Sequence, residues 1–211
     1  MQIYPLFPLE LVVYPKEELN LHIFEPRYRQ LINDCEEHKV LFGIPTFRKG
    51  FALDFGSLVK IVNIEKQYPD GRMDVRTEGV QSFRVIKFLE IHPSKLYPGG
   101  EVQLIDLELN RDEMKCFDIK KKLMELYSFM SITSVPAALD SDLFYTTQVA
   151  HKVGFNFDQE YHFLQIPTEI ERQEYMLNHL ENLIPIARNM EEMRKKIQLN
   201  GYFKDILPPK V

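Results

Sequence analysis

The side chains best able to do chemistry are six histidines (His22, His38, His92, His151, His162, His179) and two cysteines (Cys35, Cys116). Their spacing assembles nothing. There is no H-E-x-x-H pair for one helix face, and no Cys/His spacing of the kind that closes a tetrahedral zinc site. No G-x-x-x-x-G-K-[ST] segment offers backbone N–H groups to a phosphate, and no G-x-S-x-G elbow lifts a serine above a sheet. The sequence therefore predicts no catalytic residue, no metal and no cofactor, and the chain is not expected to be an enzyme. The cysteines form no CxxC, so no disulfide framework is expected, and a reducing, cytoplasmic setting fits.

Binding is the remaining chemistry. A net charge of −5 and a pI near 5.7 weigh against nucleic acid as a partner. The basic runs Lys120–Lys122 and Arg194–Lys196 sit beside Asp118, Glu125, Glu191 and Glu192 and read as solvated helix faces. No stretch approaches the roughly 18 consecutive apolar residues of a membrane span. The best candidates for contact with a peptide are Leu9, Leu11, Val13 and Tyr14, in a proline-bounded first loop where an extended segment could add to a sheet edge. The competing reading is that these four close the sheet. Glu25 and Arg27 flank a helix start. A carboxylate there is favoured by the free N–H groups and the dipole, and Arg27 could pair across to the sheet. A charged partner contact is the weaker reading. Phe24 and Tyr28 read as packing between helix and sheet, and His22 as a hydrogen-bonded structural histidine.

The elements that must carry these residues change character once. Up to about residue 109 the pattern is mostly strand, with one helix over 26–37 opened by Pro26, whose missing N–H costs nothing at the first helical position. Tyr28, Leu31, Ile32 and Cys35 recur on one face of that helix. Short apolar runs follow at 40–44 and 58–64, then the turn Tyr68-Pro69-Asp70-Gly71, a return strand through Met73, Val75 and Thr77, a second turn at Glu78-Gly79, and strands through Phe83–Ile86 and Val102–Leu109. After Leu109 the period is helical. Asn110 and Glu113 suggest a capping box, and Phe117, Leu123, Leu126, Tyr127 and Met130 a helix face. Asp140 or Ser141 would cap a second helix ending at Gly154, and Asp158 a third ending before Pro167. Thr168–Glu171 is a T-x-x-E box opening a long helix that carries Ile170, Leu177, Leu180, Ile184, Ala187, Met190 and Ile197 on one face, contains Pro185 and ends at Asn200-Gly201. These patterns predict an α+β chain: a β-rich subdomain over 1–109 and an α-helical one over 110–211, tightly docked because no linker separates them.

The order of motifs resembles one family. Tyr4-Pro5-Leu6-Phe7-Pro8-Leu9, then His22-Ile23-Phe24-Glu25-Pro26-Arg27-Tyr28, Gly56-Ser57-Leu58, Asp70-Gly71-Arg72 and Glu78-Gly79-Val80 follow the pattern of the N-terminal domain of the ATP-dependent protease Lon. The resemblance is strongest over residues 4–90. It implies a PUA-like β pseudo-barrel with one packed helix, followed by a C-terminal helical bundle. It also implies a role in contacting protein substrates. His22, Phe24, Glu25, Pro26, Arg27, Tyr28, Asp70, Gly71, Glu78 and Gly79 are the family-motif positions and are expected to be structural. No segment resembles Lon's ATPase or its Ser–Lys peptidase, so the chain is expected to be a free-standing substrate-receiving part. Ser57 stands where the family has Thr, Glu10 where a basic or small residue is usual, and Lys16-Glu17 where Pro-Gly is usual. These changes put loop-borne specificity in doubt. The expected partners are unfolded or client polypeptides, and a protease or chaperone that receives them. An RNA-associated module and a small-molecule pocket are the alternatives.

Overall fold

A computed structural model describes residues 3–204. Six strands form one antiparallel sheet: β1 (Ile3–Pro5), β2 (Glu18–Ile23), β3 (Phe42–Arg48), β4 (Phe51–Gln67), β5 (Met73–Leu89) and β6 (Gly99–Leu104). The neighbour order is β1-β6-β5-β4-β3, and β2 pairs with β5 from Glu18↔Glu78 to Ile23↔Met73. After β1 the chain returns to β3 through parallel bridges at Leu6↔Gly43 and Leu9↔Thr46, which close the sheet into a pseudo-barrel. Helix α1 (Pro26–His38) lays Tyr28, Leu31, Ile32 and Cys35 into the core made by Val13, Ile23, Phe42, Ile44 and Val59. It starts with Pro26 in its first turn and stops at Lys39, whose left-handed backbone lets its N–H reach the Cys35 carbonyl.

The α+β expectation holds, with local corrections. Glu78-Gly79 is no turn: β5 runs straight through it, and Gly79 is required for another reason given below. Helix α2 (Glu113–Met130) is capped by Asp112 rather than Asn110; the Asp112 carboxylate accepts from the N–H groups of Met114 (2.9 Å) and Lys115 (3.1 Å). On α2, Phe117 and Met130 are exposed, while Cys116, Ile119, Leu123, Leu126 and Tyr127 are buried. The expected helix ending at Gly154 is instead three short 3₁₀ turns, Ala137–Asp140, Thr146–Gln148 and Ala150–Lys152. The Ser141 hydroxyl accepts from the Leu143 N–H there at 3.1 Å, a local bond that competes with a helical one. Gly154 does adopt a positive φ, of 80°. Helix α3 (Phe157–Gln165) is capped by Asn156 in a reciprocal box with Gln159, not by Asp158. Helix α4 (Glu169–Lys204) opens with Thr168 accepting from the Glu171 N–H at 3.2 Å, contains Pro185, and continues past Asn200-Gly201. Met176, Leu180, Ile184 and Ala187 are buried on it; Ile170, Met190 and Ile197 are exposed.

The chain divides into two compact units, each built from two stretches. The first is Met1–Asn110 with Tyr145–Arg172, the second Arg111–Phe144 with Gln173–Val211. One division falls between Asn110 and Arg111, and the stretch Tyr145–Arg172 groups with the β-rich unit. In that stretch the buried Glu169 carboxylate accepts from the Thr146 N–H at 2.7 Å and lies 3.5 Å from Arg172. Burial pushes the Glu169 carboxyl up and the Arg172 guanidinium down from their ordinary pKa values.

Candidate polypeptide-binding surface

The period of two in β2 sends Leu21 and Ile23 into the core and leaves Asn20 and His22 outside. The antiparallel register sets His22 opposite Asp74, and His22 Nδ1 donates to Asp74 Oδ1 at 2.6 Å. Tyr68 donates its hydroxyl to the other Asp74 oxygen at 2.8 Å. Those bonds, the His22 one first, hold the Asp74 carboxyl below the usual carboxylate range. With Nδ1 engaged, Nε2 is the remaining polar atom of the His22 ring. Phe24 stacks on His22 with centroids 6.3 Å apart and is 61% exposed, so it is not the packing residue expected between helix and sheet; Tyr28 is, against Phe7.

The β4–β5 turn meets the same place. Gly71 adopts φ +84°, and its N–H donates to the Tyr68 carbonyl at 2.9 Å. Asp70 accepts from the Arg72 backbone N–H (3.1 Å) and Nε (2.7 Å), and Arg29 donates to the Asp70 carbonyl at 2.6 Å. The Arg72 hydrogen bonds, the backbone one first, depress the Asp70 carboxyl. Lys66 and Arg72 both lie over the Tyr68 ring, at 4.4 and 5.2 Å. Arg27 pairs with Glu25 at 2.8 Å rather than across to the sheet, and Glu25, although at the cap position, makes no side-chain cap bond. Beside this cluster a cleft of about 470 Å³ is lined by Asn20, Leu21, His22, Glu65, Asp74, Val75 and Arg76, with Arg76 paired to Glu65 at 3.1 Å. Two family motifs forty and more residues apart in sequence thus converge on one exposed surface. It offers donors, acceptors and an aromatic face, and Arg27, Arg72 and Arg76 are each paired with a carboxylate. Among the described residues no group of three or more His, Cys, Asp or Glu side chains could hold a metal ion.

The first loop lies elsewhere. Val13 and Tyr14 are fully buried, so they cannot present themselves to a peptide. Leu9 and Leu11 are half-buried against the same core. The sheet edge at which a peptide was expected to add is taken by this loop itself: the Phe47 N–H donates to the Leu9 carbonyl at 2.8 Å. Ser57 donates to the Val13 carbonyl at 2.5 Å, and Tyr14 donates to the Glu160 carbonyl at 2.9 Å. Glu78 and Gly79 receive the loop: Gly79 N–H donates to Glu17 O (2.8 Å), Lys16 N–H to Gly79 O (2.9 Å), and Glu78 pairs with Lys60 (2.9 Å).

One residue carries more than the sequence suggested. His151 donates from Nδ1 to Glu160 at 2.7 Å, and its Nε2 lies 3.1 Å from both Glu17 and the Val12 carbonyl. Burial would lower its pKa, but Glu17 and Glu160 outweigh burial and raise it to about 9. No spacing signal links positions 17, 151 and 160, which is why pattern reading passes over them.

No described helix is long and apolar enough to cross a membrane. A crystal structure of a Lon N-terminal domain protein from Xanthomonas campestris is similar, with a TM-score of 0.60 at 24% identity, covering 84% of this chain and 98% of that one. The N-terminal domain of a Mycobacterium avium complex Lon protease has a TM-score of 0.59 at 13% identity, covering 85% and 98%. At these identities the likeness establishes the fold. The family model of the ATP-dependent protease La (LON) substrate-binding domain matches residues 3–199, and with the motifs and fold described above this chain belongs to that family.

Proposed function

We propose that this chain is a non-catalytic receptor that holds unfolded or client polypeptide segments for a protease or chaperone, using the Phe24–His22–Asp74 surface and its adjoining cleft. The observation that carries the reading is the exposure of Phe24, a large aromatic side chain within a family motif that stacks on a carboxylate-anchored imidazole. An exposed aromatic face beside paired donors and acceptors suits a peptide backbone and mixed side chains. The balanced charges of Glu25/Arg27, Glu65/Arg76 and Asp70/Arg72 disfavour a polyanion there.

The test is a titration of the purified chain with a labelled, permanently unfolded protein and with single-stranded RNA, read by anisotropy at low and physiological salt. Binding of the unfolded protein that survives physiological salt and weakens on Phe24→Ala supports the receptor reading. RNA binding alone, lost as salt rises, overturns it in favour of an RNA-associated module.

A further inference from the structure

Among the described strands, β2 pairs with β5 and with no other. Just before β2, the Gly79 N–H donates to the Glu17 carbonyl at 2.8 Å; within it, the Leu19 carbonyl accepts from the Thr77 hydroxyl at 2.8 Å. Both carbonyls point at β5. Main-chain direction alternates along a strand in step with the side chains. Leu19, Leu21 and Ile23 therefore turn their main-chain groups to β5, and Glu18, Asn20 and His22 turn theirs away from it. Among the described residues those outward N–H and C=O groups meet no other backbone. Glu18, Asn20 and His22 are all exposed, so this is an open sheet edge.

Nothing in the strand guards that edge. Its sequence, Glu18-Leu19-Asn20-Leu21-His22-Ile23, holds no proline and no lysine, and its pairing with β5 runs without a bulge. The edge is also continuous with the surface described above. Asn20 and His22 line the cleft of about 470 Å³, and exposed Phe24 stands just past the end of the strand. A further strand, about 4.8 Å from β2, would pass along the cleft rim and reach Phe24. Pairing of two copies through this edge would set only six residues a side against the ~20–30 of a stable interface.

We propose, resting on the receptor reading above, that the client segment binds in extended form as an added strand on β2. Its backbone exchanges hydrogen bonds with the N–H and C=O groups of Glu18, Asn20 and His22, and alternate side chains lie over the cleft and against Phe24. Main-chain pairing takes almost any sequence and refuses a segment only where proline removes a needed N–H. The cleft and Phe24 then favour segments whose alternate side chains are apolar or aromatic. Folded proteins already pair such backbone groups internally, so the edge selects unfolded chain over folded.

Amide hydrogen exchange of the full chain, read by NMR with and without a saturating, permanently unfolded protein, tests this. The Asn20 and His22 amides should exchange at least about tenfold more slowly with the unfolded protein bound, while those of Leu21 and Ile23, already bonded to β5, should change little. Asn20→Pro removes an outward N–H and no bond to β5, and should weaken binding at least about tenfold. Asn20→Ala keeps that N–H and should weaken binding by less than about threefold. Binding that Phe24→Ala weakens, but that leaves Asn20 and His22 exchange unchanged, overturns the added strand while the receptor reading stands. Protection of both amides without unfolded protein, growing with chain concentration, gives the edge to a second copy and also overturns it. Absence of any binding removes the receptor reading and the added strand together.

Discussion

Gly79 passes directly beneath the carbonyl of Tyr14: a Cβ built on Gly79 would collide with the Tyr14 oxygen. The glycine N–H and C=O meanwhile bond to Glu17 and Lys16 at 2.8 and 2.9 Å, so the loop cannot lift away without losing both. Gly79→Ala is expected to cost about 2–4 kcal/mol of unfolding free energy, measured by urea denaturation. Gly50→Ala, where φ is +86° but nothing lies within 4 Å, should cost only about 1 kcal/mol of backbone strain. Equal costs at the two sites would contradict the close-approach explanation.

His151 makes stability depend on alkaline pH. Its folded pKa of about 9 exceeds the ordinary 6.5, so its contribution is complete below about pH 6.5 and is lost as pH rises through about 9. The magnitude is on the order of 2–3 kcal/mol. Above pH 9, Glu17 and Glu160 would flank an uncharged ring. The unfolding midpoint should therefore fall between pH 6.5 and 9.5, and His151→Gln should flatten that fall. Parallel pH profiles for the two proteins would rule the imidazolium out.

The first loop and the exposed surface should separate in mutational tests. Tyr14→Ala empties a fully buried site and should destabilise by about 3–5 kcal/mol, whereas Tyr14→Phe keeps the ring, loses the hydroxyl's bond to the Glu160 carbonyl and should cost about 1 kcal/mol. Phe24→Ala should change stability by no more than about 0.5 kcal/mol and lower affinity for an unfolded polypeptide. Thermal melts of the three variants alongside the anisotropy titration check the separation.

Burial, with Asp34 adding to it, pushes the Cys35 thiol up to about 12, so almost no thiolate exists at neutral pH. Cys116 is also buried and accepts from Gln173 Nε2 at 2.9 Å. Neither thiol should react with an aromatic disulfide reagent in the folded protein at pH 8, and both should react in denaturant. Rapid labelling of the native chain would show that α1 or α2 opens easily.

Features governed by neighbours in the chain were legible in advance. Pro26 and the spacing of Tyr28, Leu31 and Ile32 predict α1 to within one residue, and Pro69-Asp70-Gly71 predicts the β4–β5 turn. Features governed by distant partners were not. Gly79 looked like a turn residue, because the Tyr14 carbonyl that demands a glycine lies 65 positions away. Phe24 looked like core because apolar patterning cannot say that Tyr28 already fills the space against Phe7. Caps were misplaced by two residues at Asp112 and Asn156, where several competent Asx side chains stand together and only geometry chooses between them. Nor does apolar periodicity along α4 reveal which apolar positions meet a neighbour: Ile184 and Ala187 are buried, while Met190 and Ile197 are exposed.

The two-stretch construction of each unit limits how this protein can be taken apart. A fragment stopping near Asn110 would keep every described strand but lose His151 and Glu160, the anchors of Val12, Tyr14 and Glu17. The second unit likewise needs α2 and the later part of α4, which flank the inserted stretch 145–172. A single recombination breakpoint therefore cannot excise either half intact. Shuffling during evolution, or fusion by an engineer, must move the whole or work at its two ends.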